Sequence, residues 1–218
     1  LTAGGLKGAD EFVNAYHENK DTDFHTMVSE MAKIDRKKAK TINLGLFYGM
    51  GKGKLSSELG LTPGQAEDLF EKYHSRVPFV KEMIERTMKK ASDVGHVRTL
   101  LGRKCRFDLW EPSRYGVHKP LPRDEAEREH GKQIKRAFTY KALNKIIQGS
   151  AADMTKRAMV DLYNEGITPH IQVHDELDCS FADDVEKDRI IEIMSNAVQL
   201  EVPVKLDCEE GPSWGEAK

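Results

Sequence analysis

Apolar residues in this chain recur mostly at intervals of three and four, the spacing of amphipathic helices, and alternate only in short runs. Phe12, Val13 and Tyr16 predict a short helix over residues 6–16, followed by a polar turn through Asn19 to Asp23. A second helix starts at Arg36 with Asp35 as its cap, and Gly45, Gly49 and Gly51 flatten one surface and then end it. Residues 54–59 predict a brief helix closed by Gly60. Thr62-Pro63-Gly64-Gln65 has the form of a capping box with proline at the first helical position. The helix it opens extends to about residue 90 on Leu69, Phe70, Tyr73, Val80, Met83, Ile84 and Met88, bent or divided at Pro78.

Downstream of Gly95, residues 96–101 and 104–109 flank Gly102-Arg103 as a β-hairpin, and the proline-rich stretch 111–124 reads as loop. Helices are expected over 126–148 and 151–163, strands over 169–173 and 177–181, a helix over 184–200 and a last strand over 202–208. No repeat or low-complexity tract interrupts this order.

The 218 residues, 39% hydrophobic, can bury a sizeable core as one large domain or two small ones. A formal charge of -2 excludes a uniformly basic binder, but the charge is unevenly placed. Lys33, Arg36, Lys37, Lys38 and Lys40 make one basic block, and Lys132, Lys135, Arg136, Lys141 and Lys145 lie in a second, mixed one. Either can face a phosphate backbone, or be no more than a solvated face. The three cysteines have no paired C-x-x-C spacing, so neither a disulfide framework nor a zinc site is indicated, and a reducing cytosol fits. No apolar run reaches the roughly 18 residues of a membrane span, and no secretory leader opens the chain, so a cytoplasmic protein without a membrane is expected.

Three stretches carry candidate chemistry. Arg36, Lys40, Leu44 and Tyr48 are four apart and stack on one helix face running from cation to cation to apolar to aromatic, which suits triphosphate, sugar and base in turn. His174-Asp175-Glu176 sits between two apolar runs, so its carboxylates are held at the tip of a hairpin, open to solvent. Asn144 and Gln148 share a helix face and offer amides to the acceptors common to all base pairs in a minor groove. Taken singly, each has a bland explanation: a solvated basic face, a polar turn, and amides capping neighbouring backbone.

Taken together, in this order, they resemble family A DNA polymerases over nearly the whole chain. The finger helix of that family reads R, three residues, K, three residues, aromatic, G, two residues, Y, G; Arg36, Lys40, Gly45, Tyr48 and Gly49 match it and Leu44 departs from it. I-Q-V-H-D-E-L at 171–177 is similar to the palm motif, N-K-I-I-Q-G-S-A-A-D at 144–153 to a primer-template contact motif, D-F-H-T at 23–26 to D-I-H-T, and T-L-L-G-R at 99–103 to T-L-F-G-R. Gly211, Trp214 and Glu216 look like the C-terminal strand and tail, which suggests a natural terminus.

The resemblance implies an α+β right-hand polymerase fold. Residues 1–24 would connect palm to fingers, 25–130 would form helical fingers, and 131–218 would form the C-terminal part of an antiparallel-sheet palm. It implies template-directed addition of a nucleotide from dNTP to a primer 3'-hydroxyl, in the manner of phage enzymes. His25, Arg36, Lys40, Leu44 and Tyr48 would bind dNTP, with Lys40, Asp175 and Glu176 catalytic and Asp175 the ligand of a two-magnesium site. Gly45, Arg103, Asn144, Gln148 and His174 would face DNA, and Arg136 and Tyr140 would precede the amides on one helix. The second metal-binding Asp belongs to an upstream D-Y-S-x-x-E-x-R-like motif. An N-terminal polymerase chain carrying it and the thumb is therefore an expected partner beside primer-template DNA and dNTP. Two other readings stay open: an inactive DNA-binding polymerase fragment, or a structural fragment without function.

Overall fold

A computed structural model describes residues 5–19, 21–47, 50–114 and 116–217, the side chains of residues 31, 32, 46 and 47 excepted. Six helices come first: α1 (Ala9–Glu18), α2 (Phe24–Ala32), α3 (Arg36–Phe47), α4 (Lys52–Leu59), α5 (Pro63–Arg76) and α6 (Pro78–Val94). Their boundaries follow local chemistry. Asp35 Oδ1 accepts from the amides of Lys37 (2.6 Å) and Lys38 (3.1 Å) at the start of α3. Thr62 and Gln65 form the expected capping box on α5, a device whose Thr side chain alone contributes about 1 kcal/mol. Pro78 does not bend one long helix but starts a new one, because its ring cannot follow the preceding turn and its missing N–H is unneeded at a first helical position.

These helices enclose one core in which Val28, Ala39, Ile42, Tyr73, Val77 and Val80 are fully buried, with Leu6, Ala9 and Phe12 of the N-terminal segment packed into it. The strands are β1 (His96–Arg98), β2 (Lys104–Arg106), β3 (Leu109–Pro112), β4 (Leu121–Pro122), β5 (Ile134–Arg136), β6 (Ile171–Val173) and β7 (Glu176–Asp178). They pair antiparallel as β1-β2, β4-β3-β5 and β6-β7. The remaining helices are α7 (Arg123–His130), α8 (Ala142–Asn164) and α9 (Asp184–Asn196). The architecture is α+β.

Several expectations need correction here. The stretch 111–124, read as loop, contributes two short strands. The helix expected over 126–148 stops at Gly131, whose φ of 68° ends α7, and the chain passes through β5 and a 3-10 turn (Thr139–Lys141) entered by Phe138 at φ 60°. Arg136 and Tyr140 therefore do not share a helix with Asn144. Nor is there a break before residue 151: α8 runs through Gly149-Ser150 for 23 residues, about 34 Å. Its first half packs with Ala91, Val97 and Phe107, and its second half, through Leu162, with Ile167 and Ile190. Residues 202–208 are not a strand, since a strand exists only when paired and none of the described strands runs beside them. Trp214–Glu216 is a 3-10 turn rather than a strand. No helix among the described residues is long and apolar enough to cross a membrane.

Candidate nucleotide and nucleic-acid site

The contact between α2 and α3 assembles three of the candidate residues. Asp23 caps α2, its Oδ1 accepting from the His25 amide at 2.9 Å and its Oδ2 from Thr26 Oγ1 at 2.9 Å. The same Oδ2 accepts from Arg36 Nε at 2.8 Å and from Arg36 Nη2, so the first residue of α3 is tied to the cap of α2. Burial opposes ionisation of Asp23, but the Arg36, His25 and Thr26 hydrogen bonds win and lower its pKa to about 2. Arg36 keeps more than half of its side chain exposed, and Lys40, one turn on, is exposed and forms no ion pair with a described residue.

His25 is half-buried beneath these cations. Its Nδ1 lies 2.9 Å from Nδ2 of the fully buried Asn43. Burial pushes the imidazole pKa below its ordinary value; Asp23 pulls it upward, and the charges of Arg36 and Lys40 press it down again. Burial, with Arg36 and Lys40, thus disfavours the charged form of this ring. Leu44 follows Asn43 on the same helix and is exposed. Tyr48 and Gly49 lie outside the described residues. Gly45 does not present an open surface: a β-carbon there would sit 2.7 Å from Met50 Sδ, so its bareness admits the Met50 side chain.

Loss of the cap gives a direct check on this junction. Asp23→Ala is expected to destabilise the chain by about 1 kcal/mol in urea unfolding at neutral pH, the cost of removing a helix cap. Because the Asp23 pKa is depressed, its stabilisation is complete above the ordinary value of 3.8 and lost as pH falls through about 2. The gap between parent and variant should therefore close across that window, and a gap unchanged at acid pH would count against the Asp23–Arg36 tie.

A second centre lies at the turn between β6 and β7. Val173 pairs with Glu176, so Glu176 opens β7 and the turn proper is His174-Asp175, tighter than expected. His174 adopts φ 54°, a left-handed conformation that reverses the chain in two residues. His174, Asp175 and Glu176 are all exposed. The two apolar runs are buried only in part: Leu177 and Cys179 pack on the core of Leu162, Ile167 and Ile190, while Ile171 and Phe181 are exposed. Asp175 and Glu176 form no ion pair with a described residue, and their carboxylates are hard oxygen donors of the kind magnesium prefers. No group of three or more potential ligands gathers among the described residues, so the rest of a coordination shell would come from water, substrate or another segment.

Between the two centres, the turn Thr99 to Arg103 docks on α8. Leu100 N donates to Ser150 Oγ at 2.9 Å, Arg103 Nε to Asp153 Oδ1 at 2.8 Å, and Arg103 Nη2 to the Gly149 carbonyl at 2.9 Å. Gly149 is required there, since a β-carbon would meet Thr99 Cγ2 at 2.7 Å. Arg103 is thus half engaged in holding this turn and half exposed. Asn144 is half-buried, its Oδ1 without a partner among the described residues, while Gln148, one turn later, is exposed. Arg136 is spent internally: it donates to the carbonyls of Ser92 and Phe107 and stacks on Trp110 at 4.5 Å.

Sequence reasoning missed two residues of the first centre, Asp23 and Asn43. Asp23 carried the helix-cap signal of an acidic residue just ahead of a helix. Asn43 is a lone amide between Ile42 and Leu44 in an apolar stripe, the position at which a buried polar group needs a partner.

The family described as "DNA polymerase family A" matches residues 6–216. The chain is 34% identical to a DNA-directed DNA polymerase of Pseudomonas phage M6 over 92% of its own length and 32% of that protein's. It is also 34% identical to the thermostable DNA polymerase I of Thermus filiformis, over 98% of its length and 25% of that protein's. A solved structure, the POL domain of Pol1 from M. smegmatis in complex with DNA primer-template and dNTP, superposes with a TM-score of 0.68 at 27% identity, covering 88% of this chain and 34% of that one. The chain thus spans a third or less of the length of these relatives, and its sequence and fold together place it in DNA polymerase family A.

Proposed function

We propose that this chain supplies the nucleotide-binding and part of the catalytic surface for template-directed DNA synthesis, adding a nucleotide from dNTP to a primer 3'-hydroxyl. The observation that carries the reading is the α2–α3 junction, where Arg36, tied to Asp23, and Lys40 are exposed and His25 is held against Asn43. An anchored Arg36, an exposed Lys40 and an imidazole donor suit a triphosphate, whose charge the two cations would neutralise as pyrophosphate departs. Leu44 would border the sugar. Residues 25–130 act as fingers and 131–218 as part of the palm.

Asp175, with Glu176 beside it, would hold magnesium at the β6–β7 turn. When bound, the metal pair of such a site activates the attacking hydroxyl and stabilises the leaving oxygen. Asn144, Gln148, His174 and the exposed half of Arg103 would line the path of primer and template. A second carboxylate from an upstream polymerase segment completes the site in this reading, and that segment is the partner proposed for the chain.

The test is extension of a labelled primer with magnesium and four dNTPs. The chain alone is expected to give no extension, and the chain combined with a family A segment bearing the D-Y-S motif and thumb is expected to restore it. Robust synthesis by the chain alone would refute the need for the second carboxylate. Primer-template binding without synthesis in the combined sample would favour an inactive DNA-holding fragment instead.

A further inference from the structure

Asn43 is the best-buried polar residue of the first centre, at 0% exposure, and its position is hard to explain by packing alone. Its Nδ2 meets His25 Nδ1 at 2.9 Å, while its Oδ1 has no partner among the described residues. An amide can be turned over, which makes the direction of this bond a matter of physical argument. As it stands, Nδ2 donates one hydrogen to Nδ1, a bond that leaves its second N–H unused, and Oδ1 has no partner among the described residues. Turned over, Oδ1 would instead accept from Nδ1–H and the proton would sit on the other ring nitrogen, so the two orientations predict opposite tautomers. In the first orientation this single buried amide hydrogen bond leaves Nδ1 as acceptor and puts the proton of a neutral His25 on Nε2.

We propose that Asn43 is a positioning residue that fixes His25 as a neutral ring with its proton on Nε2, so that the histidine presents a hydrogen-bond donor to a nucleotide phosphate. The inference deepens the proposed function and rests on it for the identity of the ligand. The charged groups that face the ring are Asp23 at its own helix cap and Arg36 and Lys40 from α3, with Tyr16 of α1 beside Asp23. The two cations disfavour an imidazolium, so a donor at Nε2 is obtained without adding a third positive charge. His25 Nε2 forms no hydrogen bond with a described residue.

Nitrogen-15 spectra of the full chain, with the ring assigned through a His25→Gln control, test the first half directly. The parent should show an unprotonated, pyridine-like Nδ1 and a protonated Nε2 above the ring's titration. Asn43→Asp, close to isosteric, replaces the donor by an acceptor; Nδ1 should become protonated and the titration midpoint should rise. A protonated Nδ1 in the parent, or an Nδ1 signal unmoved in Asn43→Asp, overturns the assignment. Asn43→Leu keeps the volume without either function and should leave the ring exchanging between tautomers; if it keeps the parent's signature, Asn43 does not set it.

The second half is read in the combined polymerase from the nucleotide KM against pH. The parent should be flat above the ring's titration, because its donor is present throughout. In Asn43→Asp the neutral ring has its proton on the wrong nitrogen, so KM should climb several-fold as His25 deprotonates. The expected spectra with a flat KM in the variant would refute phosphate as the ligand of His25 while leaving its tautomer explained. That outcome is distinct from a combined sample that makes no DNA, which would refute the proposed function instead.

Discussion

Asp175→Asn, in this chain combined with its upstream polymerase segment, is expected to lower single-turnover nucleotide incorporation by on the order of 10³-fold while leaving primer-template affinity within about two-fold. The substitution retains the shape of the side chain and removes its charge. A metal site contributes several kcal/mol to stabilising developing charge, and each ~1.4 kcal/mol is a factor of ten in rate. The backbone turn should survive, because His174 at φ 54° and the Val173–Glu176 pairing define it and Asp175 contributes no side-chain hydrogen bond to a described residue. Rapid-quench incorporation with a filter-binding control separates the two quantities. Activity near that of the parent would move the metal away from this hairpin, and an equal loss of DNA affinity would mean that the tip holds primer rather than metal.

Lys40→Ala should come next in size, with a loss of about 10²-fold in kcat/KM for dNTP and little change in folding stability. The contrast with Arg36 is what the structure adds. Arg36 is anchored by Asp23, so removing it disturbs the α2–α3 junction as well as any ligand, whereas Lys40 is exposed and forms no ion pair with a described residue. An exposed lysine without a partner contributes little to folding, so a catalytic loss at unchanged urea midpoint isolates a ligand role. The measurement pairs nucleotide-concentration series with unfolding curves for both variants. A Lys40→Ala enzyme with unaltered kcat/KM would remove this lysine from the triphosphate site.

Most helices of the first ninety residues were legible because their signals are local, but α2, capped by Asp23, was not read from the sequence. Asp35, Thr62 with Gln65, Pro63, Pro78, Gly60 and Gly95 all mark boundaries within a turn of where they occur. The hairpins β1-β2 and β6-β7 and the start of α9 were also expected, and the later elements that were misread depend on a distant partner. Gly149-Ser150 looked like a helix break, but those two residues receive Thr99 and Leu100 from a turn some fifty positions earlier, and the helix continues through them. Residues 134–136 have a helical neighbourhood in sequence and become a strand by pairing with Trp110 to Pro112. At the candidate site, the spacing of Arg36 and Lys40 already defined a face. The buried bond between His25 and Asn43 could not be read, because it exists only once α2 and α3 pack. Asp23 was visible as part of a motif, but its second role as the anchor of Arg36 depends on that same packing.

The two longest helices link the separate cores of the molecule. α6 begins in the core of the helical region at Phe79 and Val80 and ends at Ala91 against Ala142 and Ile146 of α8, which then continues to the core beneath the β6–β7 turn. The route from the cation-bearing helices to the acidic hairpin therefore includes two rigid rods in contact. From Pro78 to Ala91 is about 20 Å of helix, so a tilt of α6 by ~10° about that contact would displace its far end by about 3.5 Å. Such a lever would convert a small repacking of alanine against alanine into a stroke longer than a hydrogen bond.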